Sequence, residues 1–335
     1  SNSTRGLVAG GRDPSMSNII NYNIISSTGN SVDFGDLTQA RAMVTAMTSP
    51  TRCTFAGGFT PSEVNTIDFV EISTTGNATD FGDCVATQYN MASTSSSTRG
   101  VTMGAYNGGQ TGVCDFLTIA SQGNMINFGD LSVTRIATGG TSNSVRAVLM
   151  GGQNTSGNAT NVIDFGIIAN GGTWTDFGDC TQVLGSKTAL VSNSHGGLND
   201  GYQGTRPIPF QEAGGDRGLF MGGAPDSSGD IQKVTISTTG NAQEFGELIT
   251  NQEYFGGFAS KTRGGVGGGG TPTTNRIEYV EFSTDGNGAD FGDLIENQEV
   301  GNGTASNNTR GIFTGGYKPS PGFQNTLQYI TIATT

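Results

Sequence analysis

The chain has 335 residues, 55 of them glycine, and its 28 acidic residues outnumber its 16 basic residues to give a net charge of −12. Because glycine has no side chain to bury, such a chain cannot build one thick core, and many thin β-sheets joined by tight turns are favoured. The negative charge repels a phosphate backbone and argues against nucleic acid as a partner. No apolar run approaches the ~20 residues of a membrane-spanning helix, so we expect no membrane insertion.

One repeat runs along the whole chain. Its first marker is an arginine, most often in Thr-Arg-Gly, that recurs at intervals of 47, 47, 47, 71, 46 and 47 residues. These arginines are Arg5, Arg52, Arg99, Arg146, Arg217, Arg263 and Arg310. The second marker is the phenylalanine of Asp-Phe-Gly-Asp or a close variant, found at Phe34, Phe81, Phe128, Phe177, Phe245 and Phe291. This period, with a glycine pair in each unit, is typical of a propeller blade, and no helical periodicity competes with it.

Four strands are predicted in each unit, and the second unit shows them in chain order. The segments are RAMVTAMTS from Arg41, CTFAGG from Cys53, NTIDFVEIST from Asn65 and ATDFGDC ending at Cys84. Alternation is clearest in the third, as expected for a sheet packed between neighbouring sheets. Gly-Gly ends the second strand, and TTGN forms a tight turn after the third. We predict an all-β propeller as a single domain over 1–335, with repeats that begin near residues 4, 51, 98, 145, 216, 262 and 309.

The repeated arginines and the acids of the Asp-Phe-Gly-Asp segments recur in step. Seven of the 16 basic residues occupy the arginine position, and the acids are Asp33, Asp36, Asp80, Asp83, Asp130, Asp176, Asp179, Glu244, Glu247, Asp290 and Asp293. Because a guanidinium binds a carboxylate through two parallel hydrogen bonds, we interpret both sets as structural pins between strands or blades. The phenylalanine is expected to pack between neighbouring sheets. Two alternatives stay open: Ca²⁺ binding, which the segment 285–290 suggests, and catalysis.

The strand order and two aromatic positions, Phe69 and Phe81 in the second unit, resemble the kelch family of β-propellers. This resemblance implies a kelch-like propeller, although kelch repeats carry tryptophan where these units have phenylalanine. Over nearly the whole chain the units are also similar to the Gly/Asn/Thr-rich TRGVFAGG…IEYVTIASTGNATDFGDL repeats of virion structural proteins in marine tailed phages, such as tail fibres and related appendages. The second resemblance implies a place in a virion, extracellular when mature.

The strand count predicts seven blades, of which the first and the last are incomplete. The sequence contains seven arginine-bearing strands and seven apolar third strands, but six of the Asp-Phe-Gly-Asp type and six of the RAMVTAM type. An open sheet edge favours pairing with a further strand. We therefore expect the remaining two strands to lie outside this segment or to come from a neighbouring chain.

The cysteines and the single histidine argue against metal chemistry. Cys53, Cys84, Cys114 and Cys180 form no C-x-x-C pair, and His195 lies far from each of them in sequence. A zinc site needs several such ligands, and a Ser-His-Asp hydrolase needs a nucleophile elbow for which no motif is present. We predict buried cysteines, no catalytic residue, no metal and no cofactor.

The loops that follow the glycine pairs are the candidate ligand surface. They emerge on one face and carry Phe59, Tyr106, Tyr317 and Phe323, whose rings suit stacking on sugars. From these residues and the resemblance, we hypothesise a non-enzymatic structural and binding module of a phage virion appendage that recognises a host-surface glycan. A secreted bacterial lectin or polysaccharide-acting enzyme is the alternative.

A 22-residue insertion, Ser194–Gly215, interrupts the fifth unit between its first and second strands and is the candidate partner surface. It carries His195, Tyr202, Arg206 and Phe210, residue types that are typical of contact surfaces. Because consecutive strands are antiparallel, it should leave the face opposite to the aromatic loops. We expect it to bind another virion subunit; an insertion without a role is the alternative, and a homo-oligomer is compatible with either.

Overall fold

The computed structural model of the chain describes residues 1–2, 4–12, 14–136, 139–185, 188–194, 215–223, 228–300, 304–320 and 322–333. Within these ranges all the secondary structure is β, and every strand pair is antiparallel. Seven sheets surround a central axis, which confirms the predicted seven-bladed propeller. The described residues include no helix that is long and apolar enough to cross a membrane.

The first four blades contain the following strands. Blade 1 consists of β1 (Arg5–Ala9), β2 (Ile19–Ile24) and β3 (Val32–Asp36). Blade 2 consists of β4 (Thr45–Thr48), β5 (Arg52–Ala56), β6 (Thr66–Glu71) and β7 (Thr79–Asp83). Blade 3 consists of β8 (Ala92–Ser95), β9 (Arg99–Tyr106), β10 (Gln110–Thr118) and β11 (Ile126–Asp130). Blade 4 consists of β13 (Gly140–Ser142), β14 (Arg146–Met150), β16 (Thr160–Ile167) and β17 (Thr175–Leu184), beside a two-stranded ladder of β12 (Arg135–Ile136) and β15 (Gln153–Asn154).

The last three blades follow the same order. Blade 5 consists of β18 (Ala189–Ser192), β19 (Arg217–Gly223), β20 (Ser228–Thr235) and β21 (Gln243–Glu247). Blade 6 consists of β22 (Gly256–Ala259), β23 (Arg263–Gly267), β24 (Arg276–Glu281) and β25 (Ala289–Asp293). Blade 7 consists of β26 (Thr304–Ser306), β27 (Arg310–Tyr317) and β28 (Phe323–Thr331). Blades 1 and 7 are three-stranded, as predicted: blade 1 begins with the arginine-bearing strand and blade 7 ends with the apolar third strand.

Each described outer strand has a bulge at its Phe-Gly sequence, which follows Asp in four strands, Asn in β11 and Glu in β21. In blade 2, β6 and β7 shift register at this point, and Gly82 takes a φ of 143°, a conformation that favours glycine. The backbone N–H of Gly82 donates to Oδ1 of Asp80 at 3.1 Å. In blade 3 the same bond joins Gly129 to Asn127 at 2.9 Å, so an amide serves as well as a carboxylate. The first acid therefore shapes the bulge of its own strand.

The bent outer strand then binds the tight turn of the next blade. The N–H of Gly123 donates to the carbonyl oxygen of Phe81 (2.8 Å), and the N–H of Asp83 donates to Oδ1 of Asn124 (3.0 Å). A Cβ on Gly82 would lie 2.6 Å from the carbonyl carbon of Gly123, so only glycine permits this approach. The same backbone bond joins Phe34 with Gly76, Phe128 with Gly172, Phe177 with Gly240 and Phe245 with Gly286. Asp-Phe-Gly-Asp is therefore a joint between blades.

The hydrophobic core is divided into layers between neighbouring blades. Six apolar clusters of described residues fill the junctions from blades 1 and 2 through to blades 6 and 7. In the second junction, Phe81 of blade 2 packs with Ile119 and Met125 of blade 3, and all three are buried. The repeated phenylalanine thus fills the space beside the joint that its own strand forms. This division explains how a glycine-rich chain buries enough apolar surface.

The joint predicts a difference between two glycines of the same backbone type. Gly82→Ala should lower the free energy of unfolding by about 1–3 kcal/mol more than Gly292→Ala, measured by chemical denaturation. Gly292 has a φ of 131° and the same bond to its aspartate, but a Cβ there would meet nothing within 4 Å. Both variants carry the backbone strain, and only the first adds the clash with the next blade. Equal losses would contradict the joint.

Candidate functional site

A glycine pair at the end of the second strand, present in six of the seven blades, fixes the base of the loop that follows it. In blade 2, Gly57 and Gly58 have φ values of 59° and 117°, and a Cβ on Gly58 would lie 2.8 Å from the carbonyl oxygen of Ala42. The next residue, Phe59, exchanges two backbone hydrogen bonds with Ala42, at 2.8 and 2.9 Å. The first residue of the loop is thereby held against the segment that enters the same blade. Tyr317 is held in the same way in blade 7.

Three aromatic residues meet where the loops of blades 2 and 3 emerge. The rings of Phe59 and Tyr89 contact edge to face with centroids 5.5 Å apart, and those of Tyr89 and Tyr106 lie 5.1 Å apart. All three side chains are half-buried. Partial desolvation, together with Tyr106 and Glu63, raises the pKa of Tyr89. We call Phe59, Tyr89 and Tyr106 the aromatic trio; the sequence indicated the first and the last, but not Tyr89, which lies in a linker without a glycine pair.

Tyr317 and Phe323 form a second group, which we call the aromatic pair, in blade 7. Their ring centroids are 5.3 Å apart at an interplanar angle of 65°. The side chains are 39% and 62% exposed, so ring faces are open to a ligand. Tyr317 follows the glycine pair of blade 7 as Phe59 follows that of blade 2, and Tyr106 follows Gly104-Ala105 at the same position in blade 3. Both groups therefore lie on one face of the ring. Blade 1 lies between them, so the four predicted rings form two separate groups.

The predicted partner surface falls largely outside the described residues. The structure does not describe the four predicted contact residues, which are His195, Tyr202, Arg206 and Phe210. The strand before the insertion, β18, ends at Ser192 and the strand after it, β19, begins with the repeated arginine. Ser192 and Arg217, between which the insertion lies in sequence, are at the end of blade 5 opposite to the glycine pair.

The repeated arginines form a closed circle of contacts between blades. Each donates from Nη1 to the carbonyl oxygen of the buried apolar residue that follows the third strand of the next blade, as Arg99 does to Ile168 at 3.1 Å. In order from Arg5 to Arg310, the acceptors are Ile72, Ile119, Ile168, Ile236, Phe282, Ile332 and Ile25. The last bond, 3.4 Å long, joins blade 7 to blade 1. It closes the ring.

The partners of these arginines correct the predicted pairing with the Asp-Phe-Gly-Asp carboxylates. The guanidinium carbons of Arg5, Arg52, Arg99, Arg146, Arg263 and Arg310 lie 4.4–4.8 Å from the centroid of an aromatic ring on the third strand of the same blade. This cation–π contact directs the fork towards the next blade. The first acids, such as Asp80, are exposed on the outer strand and bind their own bulge. Among the described ion pairs, Arg52 and Arg263 instead bind Glu71 and Glu281 of their own third strands.

Buried polar pairs at the blade junctions were not identified from the sequence. Arg41, which enters blade 2, binds Asp68 of β6 at 3.1 Å, and Arg135 binds Asp164 at 2.8 Å. All four side chains are completely buried. Burial lowers the pKa of Arg41, and the charge of Asp68 opposes that shift. An alignment of the third strands alone would have shown an acid or amide at this position in every unit.

At the junction of blades 2 and 3 the carboxylate has a neutral partner instead. Gln88 donates from Nε2 to Oδ2 of Asp115 at 3.2 Å, and both residues are buried. Oδ1 of Asp115 has no hydrogen-bond partner among the described protein atoms. Desolvation raises the pKa of Asp115 to about 6. The carboxyl of Asp115 is therefore buried without a counter-charge, whereas Asp68 and Asp164 are each paired with an arginine.

The thiols are buried, as predicted. Cys53, Cys84, Cys114 and Cys180 are free, and burial raises the pKa of Cys53 to about 11 and those of Cys84 and Cys180 to about 12. A thiol at such a pKa is not a nucleophile at neutral pH. Over the ranges that the structure describes, no three His, Cys, Asp or Glu side chains are grouped so that they could hold a metal ion.

Comparison of the chain with models of protein families and with curated protein sequences finds no match. The fold and its surfaces therefore carry the functional argument.

The circle of arginines predicts a loss of stability that the outer carboxylates do not share. Arg99→Ala should lower the free energy of unfolding by about 1–3 kcal/mol, since it removes the bond to Ile168 and the contact with Phe116. Asp80→Asn should change it by less than about 0.5 kcal/mol, because Asn127 has the same role in blade 3. Denaturant titrations measure both. Comparable losses in the two variants would restore the carboxylate pairing.

The raised pKa of Asp115 predicts a pH-dependent contribution to stability. The folded pKa of about 6 exceeds the unfolded value of about 3.9, so this group's contribution is complete below pH ~4 and is lost as the pH rises through about 6. Asp115→Asn should therefore raise the free energy of unfolding at pH 7 by about 1–3 kcal/mol and have little effect at pH 4. Asp68→Asn is the control and should destabilise at pH 7, because it leaves buried Arg41 without its counter-charge. The free energies of unfolding of the wild type, Asp115→Asn and Asp68→Asn, measured between pH 4 and pH 7, test this prediction.

Proposed function

We propose that the protein is a non-enzymatic structural and binding module of a phage virion appendage, such as a tail fibre, and that it recognises a host-surface glycan. The observation that carries the proposal is the exposed aromatic pair, Tyr317 and Phe323, on the same face as the aromatic trio. An aromatic ring offers a flat apolar surface to the C–H face of a sugar, and its edge stays hydrated. Similarity of the repeats to kelch and virion-protein units supports the same assignment.

The construction of the ring supports recognition by a rigid surface. The joints, the apolar layers and the arginine circle hold neighbouring blades together, and Phe59, Tyr106 and Tyr317 are anchored by backbone bridges at the loop base. Rings held in place before binding lose little conformational entropy when a ligand arrives. Two groups separated by blade 1 also suit a repeating polysaccharide, because a second contact on the same chain strengthens attachment.

The assignment as a non-enzymatic module is supported by the state of the polar groups. The buried carboxylates Asp68 and Asp164 are bound to arginines, and the cysteine thiols are buried. The first acids of the Asp-Phe-Gly-Asp segments shape their own bulges. In a virion, the face that carries the aromatic groups would point towards the host, and the opposite face, where the insertion leaves blade 5, would bind another virion subunit.

Glycan binding by the exposed rings is testable with three single variants. Phe323→Ala and Tyr89→Ala should each weaken binding to bacterial surface polysaccharides by about tenfold, as expected when a stacked ring is lost, measured by calorimetry after a glycan-array screen. Ile295→Ala is the matched control: its side chain is 82% exposed and apolar but belongs to neither aromatic group. Its affinity should match the wild type, and the Phe323→Ala and Ile295→Ala variants should keep the wild-type melting temperature.

Three outcomes would contradict the proposal. Equal affinity in all variants would exclude the rings as the binding surface. Cleavage of the bound polysaccharide would favour the enzyme alternative. A gene neighbourhood without tail or baseplate genes would favour a secreted lectin over a virion module.

A further inference from the structure

The junction of blades 7 and 1 differs from the other six. Among the described residues, no strand pairs with the outer edge of β28 in blade 7 or with the inner edge of β1 in blade 1. Two adjoining cavities of about 700 and 590 Å³ lie between these blades. They are lined by Val8, Asn21, Asn30, Leu327 and Gln328 in the first, and by Tyr22, Asn30, Ile312, Leu327 and Tyr329 in the second, among others. We call this region the 7–1 cleft.

Apolar side chains in the cleft are exposed where their counterparts in other blades are covered. Val8 of β1 is 43% exposed, whereas the residues at its position in the other blades are at most 2% exposed. These are Phe55, Thr102, Leu149, Phe220, Val266 and Phe313. Tyr329 of β28 is 49% exposed, but its counterpart Phe69 contacts the outer-strand residue Phe81 edge to face, at 5.7 Å. The cleft therefore presents the apolar contacts of both an inner and an outer strand.

The polar groups that receive an outer strand elsewhere are also in the cleft. In blade 2, the N–H of Gly76 binds the carbonyl oxygen of Phe34, and Oδ1 of Asn77 accepts from the N–H of Asp36 (3.1 Å). Gly29 and Asn30 form the same Gly-Asn turn in blade 1. Asn21 likewise occupies the position of Asp68, whose carboxylate accepts from the N–H of Thr38 at 3.0 Å. Together, the Gly29–Asn30 turn and Asn21 would fix the register of an incoming strand.

We propose that the 7–1 cleft binds one polypeptide segment of the repeat's own type, an outer Asp-Phe-Gly-Asp strand followed by an inner strand. At the other junctions the outer strand of one blade leads along the chain to the inner strand of the next, as β3 leads to β4. A single such segment would extend β28 and β1 together. Its phenylalanine would contact Tyr329, its backbone would bind the Gly29–Asn30 turn, and Asn21 would accept from the residue after the apolar position. This is strand addition at an open sheet edge.

A second folded copy of this chain does not fit the cleft. Each of its outer strands, β3, β7, β11, β17, β21 and β25, is already hydrogen-bonded to the third strand of its own blade. Donation would require one blade to unfold, which exposes two apolar layers. The occupant is therefore a segment whose strand–loop–strand sequence is not already part of a folded blade.

The probe for this proposal is a synthetic peptide with the sequence QEFGELITNQEYFGGFAS, that of residues 243–260. In this peptide, Gln252 occupies the repeat position that Arg41 has between blades 1 and 2. A neutral side chain suits this position, because it would face the neutral Asn21 in the cleft. Binding to the chain should be saturable, raise the melting temperature and slow amide exchange at residues 326–329 of β28 and 6–9 of β1. The same peptide with Phe245→Ser should bind at least about tenfold more weakly, because it loses the ring contact with Tyr329.

Two protein variants separate the cleft from general stability. Asn30→Ala should weaken peptide binding about threefold to tenfold and leave the melting temperature of the free protein unchanged. Asn287→Ala alters the same turn position in blade 6, where Oδ1 already accepts from the N–H of Glu247 at 3.2 Å. It should lower the melting temperature and leave peptide affinity unchanged. Unaltered exchange at both edges under saturating peptide, equal binding of the Phe245→Ser peptide, or a self-associated chain that excludes the peptide would overturn the proposal.

Discussion

The contact on which most of the ring depends is the hydrogen bond from the tight turn of one blade to the bent outer strand of the blade before it, which occurs at five junctions. At four of these, an asparagine of the turn accepts a second bond from the same strand. The contact requires a glycine in the strand, because any side chain on Gly82 would collide with the turn. The bend turns the neighbouring phenylalanine into the layer between the sheets, so backbone pairing and apolar burial are achieved by the same three residues. The arginine circle adds a second link between the same neighbours. The loops that follow the second strands take no part in these contacts and are therefore free to vary.

The architecture could be predicted from the sequence because two markers with one period report the number of blades and the strands each contains. The partners could not be predicted in the same way. Every residue that recurs once per unit has the same period, so a contact within a unit and a contact with the next unit leave identical patterns. Arg99 and the acid of β11, Asp130, recur in step, yet the guanidinium lies on Phe116 and binds Ile168 of blade 4. Only geometry distinguishes these pairings.

The candidate ligand surface was partly visible in the sequence. Phe59, Tyr106, Tyr317 and Phe323 could be selected because glycine pairs mark the loops, but their division into two groups depends on which blades are neighbours. Tyr89 was not predicted as part of this surface because it lies in a linker between blades, where no repeated glycine marks the position. The burial of Asp68 and Asp115 was not predicted for a different reason. A polar residue on a strand is expected to face solvent, and the sequence does not show that a second sheet covers it. Buried polar groups are therefore the hardest feature of such a repeat to predict.

The buried polar pairs also distinguish some junctions from others. Near-identical repeats can dock on the wrong neighbour during folding, and apolar layers of similar shape would accept the exchange. The pairs differ between junctions: Gln88 binds Asp115, whereas Arg41 and Arg135 bind Asp68 and Asp164. If the linker bearing Arg41 docked against blade 1, its guanidinium would face the neutral Asn21 and be buried without a counter-charge, at a large energetic cost. Sequence differences at this one position therefore disfavour the docking of a linker on the wrong blade.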